Sequence, residues 1–294
     1  EQLVAAVKRG DVAVATIDKA VRRILSLKFQ MGLFDDPFVD EKQAVQLVAS
    51  SEHTGLAREV ARQSIVLLKN KDKLLPLKKD IRTLAVIGPN ADNVYNMLGD
   101  YTAPQADGTV VTVLDGIRQK VSKETRVLYA KGCAVRDSSR TGFKDAIETA
   151  RNADAVVMVM GGSSARDFSS EYEETGAAKV TINQISDMES GEGYDRATLH
   201  LMGRQLELLE EISRLGKPVV LVLIKGRPLL MEGAIQEAEA IVDAWYPGMQ
   251  GGNAVADVLF GDYNPAGRLT LSVPRSVGQL PVYYNTRPVS YTHL

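Results

Sequence analysis

The sequence predicts an α/β fold, a mostly parallel sheet sandwiched by helices. Three observations predict it. Short unbroken apolar runs recur along the chain from residue 83 onward, helical patterns alternate with them, and one long connection between them carries acids, glycines and a tyrosine. An apolar run without polar alternation is the pattern of a strand buried on both faces, as in a parallel sheet covered by helices. Alternation of such runs with helical patterns implies crossover connections and parallel pairing.

The elements follow in order. Residues 1–29 read as helices: Leu3, Val4 and Val7 recur at helical spacing, and beyond Gly10 so do Ile17, Val21, Ile24, Leu25 and Leu27, with Thr16 or Asp18 as a cap. Gly32-Leu33-Phe34-Asp35-Asp36-Pro37 breaks the pattern. Residues 38–52 are polar and linker-like, a further helix covers about 53–69, and the Lys-rich stretch 70–82 with Pro76 suits a surface connection. Strands are expected at 84–87, 127–130, 155–160, 219–224 and 240–244, and helices at 143–152, 199–215 and 253–260.

Composition narrows the function. The 294 residues carry a formal net charge of −2 with acids and bases interspersed. That argues against nucleic acid as a partner, because phosphate binding needs a basic face. No run approaches the roughly 18 apolar residues of a membrane span. The one cysteine, Cys133, allows no internal disulfide and no multi-thiolate metal site, and reads as a small core residue. His53, His200 and His293 lack ligand spacing, so neither a metal site nor a Ser-His-Asp triad is expected.

Sites in parallel sheets lie at the carboxyl ends of the strands. The connection from Gly161 to about Ala197 follows such a strand and contains Glu189-Ser190-Gly191-Glu192-Gly193-Tyr194-Asp195-Arg196. Glycines there allow close approach of a ligand, and a loop carboxylic acid beside aromatic and cationic groups can donate or accept a proton. A solvated acidic loop is the plainer reading of the same spacing. Arg196 can pair with Asp195 or Glu189 and hold the loop. The acidic cluster Glu171, Glu173 and Glu174 reads as solvated. Gly161-Gly162-Ser163-Ser164 reads as a tight turn, since no phosphate-loop motif accompanies it. In Gly88-Pro89-Asn90-Ala91-Asp92 an Asn or Asp cap on the next helix is expected. Trp245-Tyr246 stands at the same sheet edge, either as a platform for a sugar ring or as a half-buried rim pair.

Longer motifs carry a resemblance. Gly248-x-x-Gly251-Gly252-Asn253-Ala254-x-Ala256-Asp257-Val258-Leu259-Phe260-Gly261-Asp262-Tyr263-Asn264-Pro265-x-Gly267-Arg268-Leu269 closely resembles the C-terminal α/β-sandwich domain of glycoside hydrolase family 3. So do the stretch from Glu59 to Asn70 ahead of Leu74-Leu75-Pro76-Leu77, Val86-Ile87-Gly88-Pro89-Asn90-Ala91, and Gly226-Arg227-Pro228. Arg22-Arg23-Ile24-Leu25 and Gly32-Leu33-Phe34-Asp35 resemble the tail of the family's N-terminal barrel.

The resemblance implies a fragment of a retaining, exo-acting β-glycosidase of β-glucosidase type. Residues 1–37 would be the end of a truncated (β/α)8 barrel, 38–82 linker and helix, 83–288 the sandwich, and 289–294 an artefactual or truncated end. It implies Glu192 as general acid/base, with Glu189 as the runner-up, while Tyr194, Asp195, Arg196 and Trp245 bind substrate or shape the loop. A retaining enzyme needs two carboxyls about 5–5.5 Å apart. The family's nucleophile, an Asp of the barrel, has no counterpart in this chain, so the fragment alone is expected to be inactive. The implied partners are a β-linked oligosaccharide or glucoside and the missing barrel, with no cofactor, no metal, and a periplasmic or secreted setting. The competing reading is a non-catalytic carbohydrate-binding or scaffold module; a flavodoxin-like nucleotide binder is disfavoured by the missing phosphate loop.

Overall fold

The structure, a computed structural model, describes residues 2–165 and 187–285. The chain divides into two compact units, Glu1–Ser50 and Ser51–Leu294. The first consists of helices α1 (Gln2–Arg9), α2 (Val14–Gln30) and α3 (Glu41–Leu47). Asp40 caps α3 by accepting from the N–H groups of Lys42 and Gln43. The Thr16 or Asp18 cap expected for α2 is not formed; Ala13 precedes the helix without a side-chain bond.

The second unit holds α4 (Ser51–Ser64), β1 (Val66–Asn70), β2 (Thr83–Ile87), α5 (Val94–Leu98), α6 (Val113–Lys120), β3 (Arg126–Ala130), α7 (Phe143–Arg151) and β4 (Ala155–Gly161). After the long connection come α8 (Gln205–Ser213), β5 (Val219–Ile224), α9 (Glu232–Glu237), β6 (Ala240–Trp245) and α10 (Gly251–Leu259). The strands form one sheet in the order β1-β6-β5-β4-β2-β3. All pairings are parallel except β1 with β6. The mostly parallel α/β sandwich expected from the apolar runs is thus the fold observed.

Side-chain alternation explains why those runs are unbroken. Leu84, Val86, Val157, Val159, Val220 and Val222 face one core, packed with Leu114 and Ile117 of α6 and Val255, Val258 and Leu259 of α10. Ala85, Ile87, Val156, Met158, Leu221 and Leu223 face the other, packed with Phe143 of α7 and Leu208, Leu209 and Ile212 of α8. Successive strand residues point to opposite faces, and here both faces are dry, so every position is apolar. Burying each large aliphatic side chain contributes about 1.5–3 kcal/mol.

Helices α6 and α10 meet at their backbones. A Cβ on Gly252 would lie 1.9 Å from the Thr112 carbonyl oxygen, and one on Gly116 would lie 2.1 Å from that of Gly252. Only residues without a side chain fit this crossing.

Three details differ from expectation. The helix expected over 53–69 ends at Ser64, and Val66–Asn70 is an antiparallel edge strand. Pairing with β6 takes Val66 and Leu67 into the sheet, where β-branched and aliphatic residues pack well. The segment 38–82 therefore supplies α4 and β1 to the sandwich unit, although it reads as linker and helix. Finally, Asn90 does not cap a helix. Asn93 caps α5 and Thr112 caps α6.

Candidate active site

Chain order reverses between β2 and β4: β3 lies on one side of β2, and β4 on the other. This is a topological switch point, where the crossover loops part and leave a crevice at the carboxyl ends of the strands. The loop 187–196 is fixed there by buried polar groups. The Ser163 carbonyl, just past β4, accepts from the N–H groups of Glu189 at 2.8 Å and Ser190 at 3.3 Å. Ser163 Oγ donates to Asn96 Oδ1 at 2.6 Å, and Asn96 Nδ2 donates to Asn90 Oδ1 at 2.7 Å. Asn90 Nδ2 closes the chain on the Gly162 carbonyl at 3.1 Å. Asn90 is wholly buried, which is why its side chain bonds the ends of the neighbouring strands.

The start of the loop is held from the side. Asp187 Oδ1 accepts from the N–H groups of Val135 and Arg136 at 3.0 and 3.3 Å. Arg136 Nη1 donates to the Met188 carbonyl at 2.7 Å, and its guanidinium lies 5.8 Å from the centre of the Tyr194 ring. Gly191 has φ of 109°, and a Cβ there would fall 2.7 Å from Met188 Cε and 2.8 Å from Asp100 Oδ2. That position needs glycine twice over, for its backbone angle and for space.

The loop acids stand in different environments. The Glu189 side chain is 1% exposed and pairs with Arg196, itself 4% exposed; the Arg196 guanidinium also donates to the His200 carbonyl. Of the two partners expected for Arg196, Glu189 is the one it takes. Asp195 is exposed and accepts from the Arg196 N–H at 3.1 Å. Glu192 is exposed at the loop tip. Its Oε2 accepts from the Tyr101 hydroxyl at 2.6 Å, and its N–H donates to Asp100 Oδ2 at 3.4 Å. Asp100 and Tyr101 lie 92 and 91 residues upstream, where no local pattern marks them.

Trp245 is half-buried at the end of β6, with φ of 55°. The Lys225 ammonium sits 4.4 Å from the centre of its ring and 2.6 Å from Asp243 Oδ2. Lys225 and Asp243 are both buried. Burial pushes the Asp243 carboxyl above its ordinary range, and Lys225 opposes that shift. Tyr246, next along, reaches Ser190 with its hydroxyl at 3.3 Å, joining β6 to the loop. The Cys133 thiol, also buried, is pushed up to about 12, mainly by burial, and packs as a core residue. Glu171, Glu173 and Glu174 lie outside the described residues, as does His293. Among the described residues no group of three or more His, Cys, Asp or Glu side chains could hold a metal ion, and no helix is long and apolar enough to cross a membrane.

The fold and the crevice define an α/β sandwich with a carboxylate-bearing loop at its switch point. Residues 65–293 match the model of the glycosyl hydrolase family 3 C-terminal domain, and the chain belongs to that family. A β-xylosidase of Formosa agariphila is 43% identical over 280 residues, spanning 92% of this chain and 35% of that protein. A periplasmic β-glucosidase of Salmonella typhimurium is 39% identical over 304 residues, spanning 95% and 37%. The crystal structure of a β-glucosidase from Listeria innocua in complex with glucose matches with a TM-score of 0.78 at 30% identity, covering 97% of this chain and 35% of that one. This chain therefore spans about a third of the length of these relatives.

Proposed function

We propose that this chain is the sandwich portion of a retaining, exo-acting β-glycosidase that removes terminal β-linked sugars, with Glu192 as its general acid/base. The observation that carries the assignment is the contrast between two acids three residues apart. Glu189 is buried against a guanidinium that stays charged, whereas Glu192 is exposed at the loop tip and held by Tyr101. A group that exchanges protons with substrate and water must be reachable. Residues 1–37 are the end of a barrel whose remainder supplies the nucleophilic carboxylate.

In the first step the barrel carboxylate bonds to the anomeric carbon as the glycosidic C–O bond breaks. The bond's electron pair goes to the leaving oxygen, which takes the Glu192 proton. In the second step the Glu192 carboxylate takes a proton from water, whose oxygen bonds to the same carbon and expels the nucleophile, restoring both carboxyls. Residues of this loop need only hold Glu192 within reach of the leaving oxygen, and no metal or cofactor enters. The names of the relatives support glucosides or xylosides as substrates, and one of them supports a periplasmic location.

The test compares the chain alone with the chain joined to the barrel encoded upstream of Glu1. The chain alone is expected to release no aryl alcohol from aryl β-glucosides or β-xylosides. The joined protein is expected to do so, and to lose that activity in Glu192→Gln. Turnover by the chain alone would overturn the two-part reading. Glycoside binding without turnover in both forms, unaffected by Glu192→Ala, would favour a carbohydrate-binding module.

A further inference from the structure

Resting on the assignment of Glu192, we infer that Glu189 and Arg196 form a positioning clamp that sets the direction of the acid/base loop. The two residues stand at the ends of the eight-residue stretch, and their side chains meet beneath it with almost no exposure. The clamp has no slack on the side of the sheet. Glu189 Oε1 is buried without a hydrogen-bond partner, and a Cβ on Gly162 would lie 1.9 Å from it. Gly162 is therefore absent a side chain where the carboxylate needs room. On the other side Arg196 spends a second nitrogen on the His200 carbonyl, which fixes the guanidinium plane.

A buried ion pair is a weak source of net stability, because desolvation offsets most of the attraction. What it does supply is geometry: separating the partners leaves a charge stranded away from water, so the loop ends stay together. Between them, Ser190 to Asp195 must close as a tight arch, with the Tyr194 N–H donating to the Gly191 carbonyl at 3.2 Å. Glu192 is at the crown of that arch. A loop released from the clamp keeps its acid but loses the acid's aim. In the first step the defect falls on proton delivery to the leaving oxygen and spares the attack of the nucleophile; in the second it falls on activation of water.

Two readouts test this. In the chain itself, trypsin should spare the Arg196–Ala197 bond under native conditions, and Glu189→Gln should open it. In the joined protein, Glu189→Gln and Gly162→Ala are compared with Glu192→Ala. The substrates are a dinitrophenyl β-glycoside, whose leaving group needs no proton, and a methoxyphenyl β-glycoside, whose leaving group does. Gly162→Ala keeps every charge and only displaces the carboxylate.

The clamp predicts that both clamp variants lower kcat/KM, which reports the first step alone, by about tenfold or more on the methoxyphenyl substrate and leave kcat/KM on the dinitrophenyl substrate nearly unchanged. It also predicts no glycosyl azide on addition of azide, because Glu192 remains as the base. Glu192→Ala should show the same leaving-group dependence and, in addition, form glycosyl azide, as the anion's nitrogen bonds to the anomeric carbon and expels the nucleophile. Equal loss of kcat/KM on both substrates in the clamp variants, or no loss on either, would overturn the clamp and leave the Glu192 assignment standing. Glycosyl azide from Glu189→Gln but not from Glu192→Ala would overturn both, making Glu189 the acid.

Discussion

Tyr101 and Glu192 meet across 91 residues of sequence, the hydroxyl donating to Oε2 at 2.6 Å. Tyr101 holds φ of 59°, a backbone region that bulky residues rarely occupy. Such a conformation persists where surrounding contacts over-determine it, and it concentrates at functional sites. Gly99 beside it packs under the Tyr246 ring, and Asp100 receives the Glu192 N–H. The segment 99–101 is therefore a second wall for the loop tip, in addition to the Ser163 anchor.

Tyr101→Phe tests that wall. It deletes one hydrogen bond, worth about 0.5–1.5 kcal/mol in net terms, and keeps the ring. In the joined protein kcat on a substrate with a poor leaving group should fall by roughly three- to tenfold, with KM little changed. A raised KM at constant kcat would show that Tyr101 binds sugar and does not orient the acid.

Lys225 and Asp243 yield a prediction about stability. Their side chains are 2% and 1% exposed, so removing one partner strands the other. Lys225→Met should destabilise the chain by about 3–5 kcal/mol. A double replacement, Lys225→Met with Asp243→Leu, should recover most of that loss, because two apolar groups need no solvent. Trp245 is the chain's single tryptophan and lies over Lys225. Its fluorescence in a urea titration therefore reports this corner directly. A double variant as unstable as the single one would show that packing, and not the stranded charge, sets the cost.

Two glycines make opposite predictions. Gly252 sits where α10 touches the Thr112 carbonyl, with room for no further atom. Gly252→Ala must push α6 away from α10, and overpacking of this kind costs about 1–3 kcal/mol or more. Gly55 lies exposed within α4, and nothing is within 4 Å of where its Cβ would be. Gly55→Ala should stabilise by about 0.5–1 kcal/mol, because alanine loses less backbone entropy in a helix. Chemical denaturation of both variants checks the pair. A neutral Gly252→Ala would show that the two helices can separate without loss.

These residues also show what a sequence reveals. The inner strands were readable because both of their faces are buried, which removes polar residues from 84–87, 155–160 and 219–224 altogether. The pairing of Arg196 with Glu189 was one of two local options, since both lie within the same short loop. The edge strand β1 reads as the end of a helix because Ile65 to Leu68 continues the apolar pattern of α4, and only its partner β6 decides otherwise. Asn90 reads as a cap because Asn ahead of a helix commonly is one; its burial against Gly162 comes from strand order. Tyr101 carried no signal, because its meaning lies in a contact between distant segments.

The acids at the end of α10 give a pH prediction. Asp257 receives Arg58 from α4 at 2.6 and 2.7 Å and Lys120 from α6 at 2.5 Å. Burial pushes its carboxyl up, but the hydrogen bonds from Arg58 and Lys120 outweigh this and hold it below its ordinary value. Asp262 accepts from Lys120 at 2.7 Å and from Lys79, and these bonds lower its pKa to about 2. A carboxyl depressed in the folded state stabilises the fold above its unfolded pKa of about 3.9, and the stabilisation fades as pH falls through the folded value. Burial alone would lower the Lys120 ammonium, yet its bonds to Asp257 and Asp262 raise it. Its contribution is therefore complete below its unfolded pKa of about 10.4 and fades as pH rises through the folded value. The network is at full strength between roughly pH 4 and pH 10. Urea titrations of the parent chain and Asp262→Asn should show a stability gap that is constant above about pH 4 and closes as pH approaches 2. A gap unchanged across that range would mean that Asp262 acts through packing and that its charge does not tie α6 to the connection ahead of β2.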